Sequence, residues 1–371
     1  MKDFPLIRSV RSAVLSVLLI AGPILLFAFS PLMGLYAGMA VLFLLPTLTC
    51  ISGLVGGMAP FLLNAGAGLF AMAHLFGGAG LSLAALYLLP ILAAFLCVIA
   101  FRAPFRKGCA VMVGVHVLSL AAVYAVLRNL AGGDLYAAAG QAAMDALRSS
   151  ELGDSLLYQL YSMGLIGLRG ELAENALQLT LGGYALSSQA REDLLLSVNT
   201  LVSSTLVTLV PNVIVTQSIL GGVMCLLLPL RFGFLAEEKR AFLSRADADA
   251  PQGKINFPDL GMPPFSAWHL PRGIGWQVGA ALIAGYLLRM SAAPAAAVAG
   301  SVLHAGASAV FMIQGAALVN FLQKSRGTRR VWRVVTPIVL MLLSVLMMIG
   351  VVDQMVNIRG LRKPREPKEG I

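Results

Sequence analysis

Long apolar runs, broken by short polar or basic stretches, set the pattern of this chain. Nine runs stand out, at residues 13–29, 32–54, 58–76, 81–101, 109–127, 200–228, 274–288, 296–322 and 334–352. At a 1.5 Å rise, about 20 residues cross the ~30 Å hydrocarbon core of a bilayer. Only helices and closed barrels leave no backbone group unpaired in lipid. Barrel strands alternate apolar and polar residues, and these runs do not. The pattern therefore predicts an all-α fold, a polytopic helical membrane bundle of about nine (8–9) transmembrane helices. Pro23, Pro46, Pro90 and Pro211 fall inside runs, and Gly53, Gly56 and Gly57 separate the second run from the third.

One region breaks the pattern. Residues 128–197 hold four basic residues, Arg128, Arg148, Arg169 and Arg191. Against them stand eight acidic ones, Asp134, Asp145, Glu151, Asp154, Glu171, Glu174, Glu192 and Asp193, for a net charge of −4. Leu152, Leu156 and Leu160, then Leu168, Leu172, Leu177 and Leu181, recur at roughly helical spacing, which marks amphipathic helices. Three regions follow. Residues 1–128 form an N-terminal membrane bundle of five spans, and 129–197 an acidic amphipathic helical insert. Residues 198–371 form a C-terminal bundle of four spans with a loop at 231–272.

Composition reinforces the membrane reading. A soluble chain of 371 residues would suggest two or more domains, but 58% of residues are hydrophobic and 12% charged, against about 25% charged in soluble proteins. Mean hydropathy is +0.84. The net charge of +10 lies beside the spans. Cations cluster at Lys2, Arg8 and Arg11, at Arg102, Arg106 and Lys107, in 231–272, and between Lys324 and Arg333. The positive-inside rule then puts the N-terminus and loop 231–272 in the cytoplasm and the acidic insert outside. Nine spans leave the cationic tail (Arg359, Arg362, Lys363, Arg365, Lys368) outside, so the count stands at eight or nine. The first run reads as an uncleaved helix. With no basic module of interleaved aromatics, no nucleic-acid partner is expected.

Chemistry is sparse. Cys50, Cys97, Cys109 and Cys225 are scattered without a CxxC pair and read as small packing residues. No GxSxG, P-loop, HExxH or GxGxxG fingerprint occurs. No catalytic residue, metal site or cofactor is expected, and the chain is not read as an enzyme. Polar residues at membrane depth face protein or water, which makes Asn64, His74, His116, Asn212 and Gln217 the candidate ligand-binding set. Pro211 is expected to interrupt the sixth run; Asn212 and Gln217 follow it, and broken helices often line transporter sites. The bland alternatives are interhelical hydrogen bonds and ordinary proline kinks. His304, Gln314 and Asn320 read as structural. His304 and Gln314 differ by about 80° around a helix and Gln314 and Asn320 oppose each other, so the three share no stripe. Asp353 and Arg359, six apart, pair directly only if the last helix ends between them.

The segments PPFSAWHLP, VFMIQGAALVNFL and GVVDQMVNIRGLRK, with LPTLTCISGLVGGMAP in the N-terminal half, resemble the YybS-like predicted membrane proteins, domain of unknown function 2232. The resemblance extends over most of the chain and implies a bacterial plasma-membrane protein. It also implies distant similarity to S-components of energy-coupling-factor vitamin transporters, which bind a small molecule and rely on an ATPase carried by other subunits. No site residue is carried over. The expected function is small-molecule binding or transport-related, with the bilayer and an unidentified ligand as partners. The alternative is a non-transporting membrane scaffold or regulator that docks cytoplasmic or membrane proteins through its basic loops.

Overall fold

The computed structural model describes residues 5–30, 34–168, 177–180, 183–246, 260–327, 336 and 345–360. Eleven helices order the described chain: α1 (Val10–Ala28), α2 (Gly34–Phe43), α3 (Leu45–Gly56), α4 (Met58–Ala100), α5 (Phe105–Leu130), α6 (Leu135–Ser149), α7 (Gly153–Ser162), α8 (Ser188–Ala246), α9 (Arg272–Arg289), α10 (Pro294–Ser325) and α11 (Val345–Val356). A short antiparallel hairpin, β1 (Leu177–Thr180) and β2 (Gly183–Leu186), precedes α8. The fold is an all-α membrane bundle. Five of the helices, α1, α4, α5, α8 and α10, are long and apolar enough to cross a bilayer, and α3 and α11 are shorter apolar helices. Residues 32–33 of the second run, 334–335 and 337–344 of the ninth, Leu172 and Leu181 of the insert, residues 247–259 of the loop and the tail beyond 360 lie outside the described residues.

The 43 residues of α4 are not one rod. Gly77 holds φ 63° and ψ −152°, a conformation that essentially only glycine adopts. Phe61 and Phe95 stack with ring centroids 6.5 Å apart, whereas a straight helix would part residues 34 positions apart by about 51 Å. The chain reverses at Gly77, and residues 58–76 and 78–100 form two antiparallel arms. Each arm is long enough to span, in agreement with the separate third and fourth runs of the sequence.

Local sequence explains several other joints. Pro46 lacks an N–H, and the helix breaks at Leu44 between α2 and α3, with Pro46 seated in the first turn of α3. Residues 5–8 strap the next turn. Met58 N donates to Pro5 O at 3.0 Å and Ala59 N to Leu6 O at 2.9 Å, which satisfies two free donors at the start of α4. Arg8 adds an ion pair to Glu237 at 3.1 Å. Asp134 caps α6 by accepting from Tyr136 N and Ala137 N.

Two expectations are corrected. Pro211 does not interrupt the sixth span: α8 runs unbroken for 59 residues through Pro211 and Pro229. A proline removes one hydrogen bond, and packing against α3, α5, α6 and α10 outweighs that loss. The insert is not purely helical either, because Leu177, read at helical spacing, lies in β1 and pairs with Leu186. Its helices close on the first turns of α8 around Met144, Leu157, Ile166, Leu194, Leu195 and Val198. Ion pairs Arg148–Glu192 at 2.7 Å and Arg191–Asp154 at 2.8 Å tie the outside of this unit.

Candidate functional site

α3, α5, α8 and the second arm of α4 converge on a polar cluster inside the largest apolar core. Close approach is set by two glycines of α8. A Cβ on Gly222 would stand 2.7 Å from Val113 Cα, and one on Gly221 3.1 Å from Gln217 Nε2 and 3.3 Å from His116 Nε2. One turn on, Cys225 faces α5 and α3. Its Sγ lies 3.7 Å from His116 Nε2 and 3.1 Å from Thr47 Oγ1, and Cys50 sits beside it. His116 Nδ1 is 2.8 Å from Met112 O. With Nδ1–H donating there, Nε2 is left to accept from the Cys225 thiol. The Tyr87 ring stands edge-on to His116, centroids 6.3 Å apart. Gln217 Nε2 donates to Phe43 O at 3.3 Å, at the α2–α3 break.

Beside this cluster lies the interface of α3 with the first arm of α4. Leu45 packs on Gly68 and Pro60 packs on Gly56, so this hairpin's register sets Thr49 level with Asn64. Both residues are fully buried. Asn64 Oδ1 and Nδ2 and Thr49 Oγ1 lack a hydrogen-bond partner, while the Tyr87 hydroxyl, on the second arm of α4, faces the Gln217 amide. Leaving a buried polar group unpaired costs about 1–3 kcal/mol by protein mutational data, so such groups ask for an occupant.

The five candidate residues thus divide. His116 and Gln217 meet at Gly221, and Asn64 borders the neighbouring interface. Asn212 lies five residues earlier on α8, half-buried, its Oδ1 without a partner. His74 is exposed and lies against Phe29, the rings tilted with centroids 4.3 Å apart, toward α1. The sequence reading takes Cys50 and Cys225 as packing residues and does not single out Thr47 or Tyr87. The one signal pointing to them was spacing: Thr47 and Cys50 at i, i+3, and Gly221 and Cys225 at i, i+4. Among the described residues no group of three His, Cys, Asp or Glu side chains is arranged to hold a metal ion. An open cleft of about 320 Å³ lies elsewhere, between Ile166 and Leu201 of the insert unit.

A second buried polar network closes the C-terminal bundle. Arg359 Nη2 donates to Asp353 Oδ2 at 2.6 Å, and Nη1 to Ser266 O at 2.8 Å. Gln314 Nε2 donates to Asp353 Oδ2 and to Gln354 Oε1, each at 3.1 Å. Of the other polar residues of α10, His304 Nδ1 lies 3.5 Å from Leu282 O and Asn320 is half-buried.

All of this second network but Arg359 lies in a segment that matches a known family. Residues 252–354 match the family described as Predicted membrane protein (DUF2232). The YybS-like resemblance read in the sequence is a resemblance to this family. The match contains Gln314, Asp353 and Gln354 and stops short of Arg359; it does not extend to α3, α4, α5 or α8. No curated protein and no solved structure matches the chain.

Proposed function

We propose that this chain is a membrane-embedded small-molecule-binding or transport-related protein of the bacterial plasma membrane, with its N-terminus in the cytoplasm and no ATPase of its own. Its ligand site is the polar layer among α3, α4, α5 and α8. The observation that carries this reading is Asn64, completely buried in an apolar bundle with neither amide atom partnered. An amide at such a position persists in a stable fold when something fills its valences. The neighbouring His116–Cys225–Thr47 contacts make the layer polar on two sides of α3.

The reading is of a binding protein and not an enzyme. Native mass spectrometry of the full-length protein released from nanodiscs tests the proposal. A reproducible small-molecule adduct, lost on Asn64→Leu, is expected. An adduct-free protein that instead retains cytoplasmic proteins through its basic loops would favour the scaffold reading and sink this one.

A further inference from the structure

The helices around the polar layer carry a charge pattern that bears on what can occupy it. No Asp, Glu, Lys or Arg occurs from residue 34 to 100, from 108 to 127, or from 194 to 230. These windows hold α2, α3, both arms of α4, the span of α5 and the part of α8 that meets them. The layer's own groups are hydroxyls, thiols, amides and one imidazole. A lone ion moved into such surroundings loses its hydration and meets no counter-charge, at a cost of several kcal/mol after relaxation.

The unpartnered atoms complete the argument. Asn64 offers Nδ2 as a donor and Oδ1 as an acceptor, and both are unfilled. The Thr49 hydroxyl, also unfilled, acts in either sense. An anion would satisfy donors and leave Asn64 Oδ1 bare, and a cation would do the reverse. Both side chains are fully enclosed, so the occupant is enclosed with them and has few atoms.

Resting on the binding reading above, we propose that the occupant of this layer is a small uncharged solute that both donates and accepts hydrogen bonds, held by Asn64 with Thr49. Three probes of similar size separate charge from shape: acetamide, acetate and methylammonium. Saturation-transfer difference NMR on the full-length protein in nanodiscs reads weak binding of each. Acetamide is expected to give a signal at least about three-fold above either ion. That excess should disappear in Asn64→Leu and fall in Thr49→Val, a near-isosteric change that keeps the fold if the first variant does not. If acetate or methylammonium binds as well as acetamide, and Asn64→Leu removes that signal, the solute class is wrong while the site stands. If no probe gives a signal that either variant lowers, and Asn64→Leu melts higher than the parent, the layer holds nothing but water and both readings fall.

Discussion

Arg359 and Asp353 form a buried ion pair because α11 stops between them. The helix ends at Val356 and Asn357 turns with φ 53°, which folds the chain back. The guanidinium then reaches a carboxylate six residues earlier, both side chains at most 4% exposed. The same Asp353 oxygen accepts from Gln314 on α10, and Arg359 also holds the Ser266 carbonyl ahead of α9. One cation therefore joins three parts of the C-terminal bundle. Removing one partner of a buried pair strands the other charge, at about 3–5 kcal/mol. Arg359→Ala should lower stability by that order in thermal melts of the detergent-solubilised protein. Asp353→Leu combined with Arg359→Met should recover at least half of the loss. A single-variant cost near zero, as for a surface pair, would refute the buried geometry.

The reversal at Gly77 makes a sharper claim about topology. Cysteines introduced at Phe61 and Phe95, in a background without native cysteines, should be joined by a short thiol crosslinker, because the rings stack at 6.5 Å. A continuous 43-residue helix would hold them too far apart for any such reagent. Gly77→Ala should cost about 1–3 kcal/mol, since a side chain is strained at this backbone conformation.

Much of this architecture is legible in the sequence. Hydropathy located the five long apolar helices because lipid imposes composition directly, and the gap between residues 76 and 81 marked the place where α4 turns. The condition on Asp353 and Arg359, that a helix end lie between them, is met at Asn357. Pro211 misled because a proline's effect depends on the packing around it, which one chain's sequence does not display. The site was half legible for a similar reason. His116 and Gln217 stand out as polar residues in apolar runs. Cys225, Cys50, Thr47 and Tyr87 do not, since those residue types are ordinary core fillers. The contact between Cys225 and His116 joins residues 109 apart in sequence, a distance that local periodicity cannot see.

Close packing of α10 on α11 rests on two glycines. A Cβ on Gly315 would strike the Leu346 carbonyl oxygen, and one on Gly350 the Phe311 carbonyl oxygen. Backbone cannot yield as a flexible side chain can. Gly315→Ala and Gly350→Ala should each destabilise by about 1–3 kcal/mol, read as lowered melting temperature. Gly279→Ala, with open space around its Cβ position on α9, serves as the control and should leave melting unchanged or slightly raised.

Alkaline pH should loosen the corner where α5 meets the insert. Tyr136, at the start of α6, shares a hydroxyl–hydroxyl hydrogen bond of 3.1 Å with Tyr124. Burial, with the Tyr124 hydroxyl adding to it, pushes the Tyr136 phenol up to about 12, against about 10 in an unfolded chain. The folded state thus favours the neutral phenol. Its stabilising contribution is fully present below about pH 10 and is lost as pH climbs from there to about 12, because the unfolded chain gives up the proton first. Tyr136 is half-buried, so the effect is modest. Ultraviolet titration of phenolate absorbance should show one tyrosine ionising near 12, and Tyr136→Phe should remove that step. The variant should also melt less differently between pH 9 and pH 11 than the parent does. An equal pH response in both would mean that the α5–α6 corner does not depend on this hydroxyl pair.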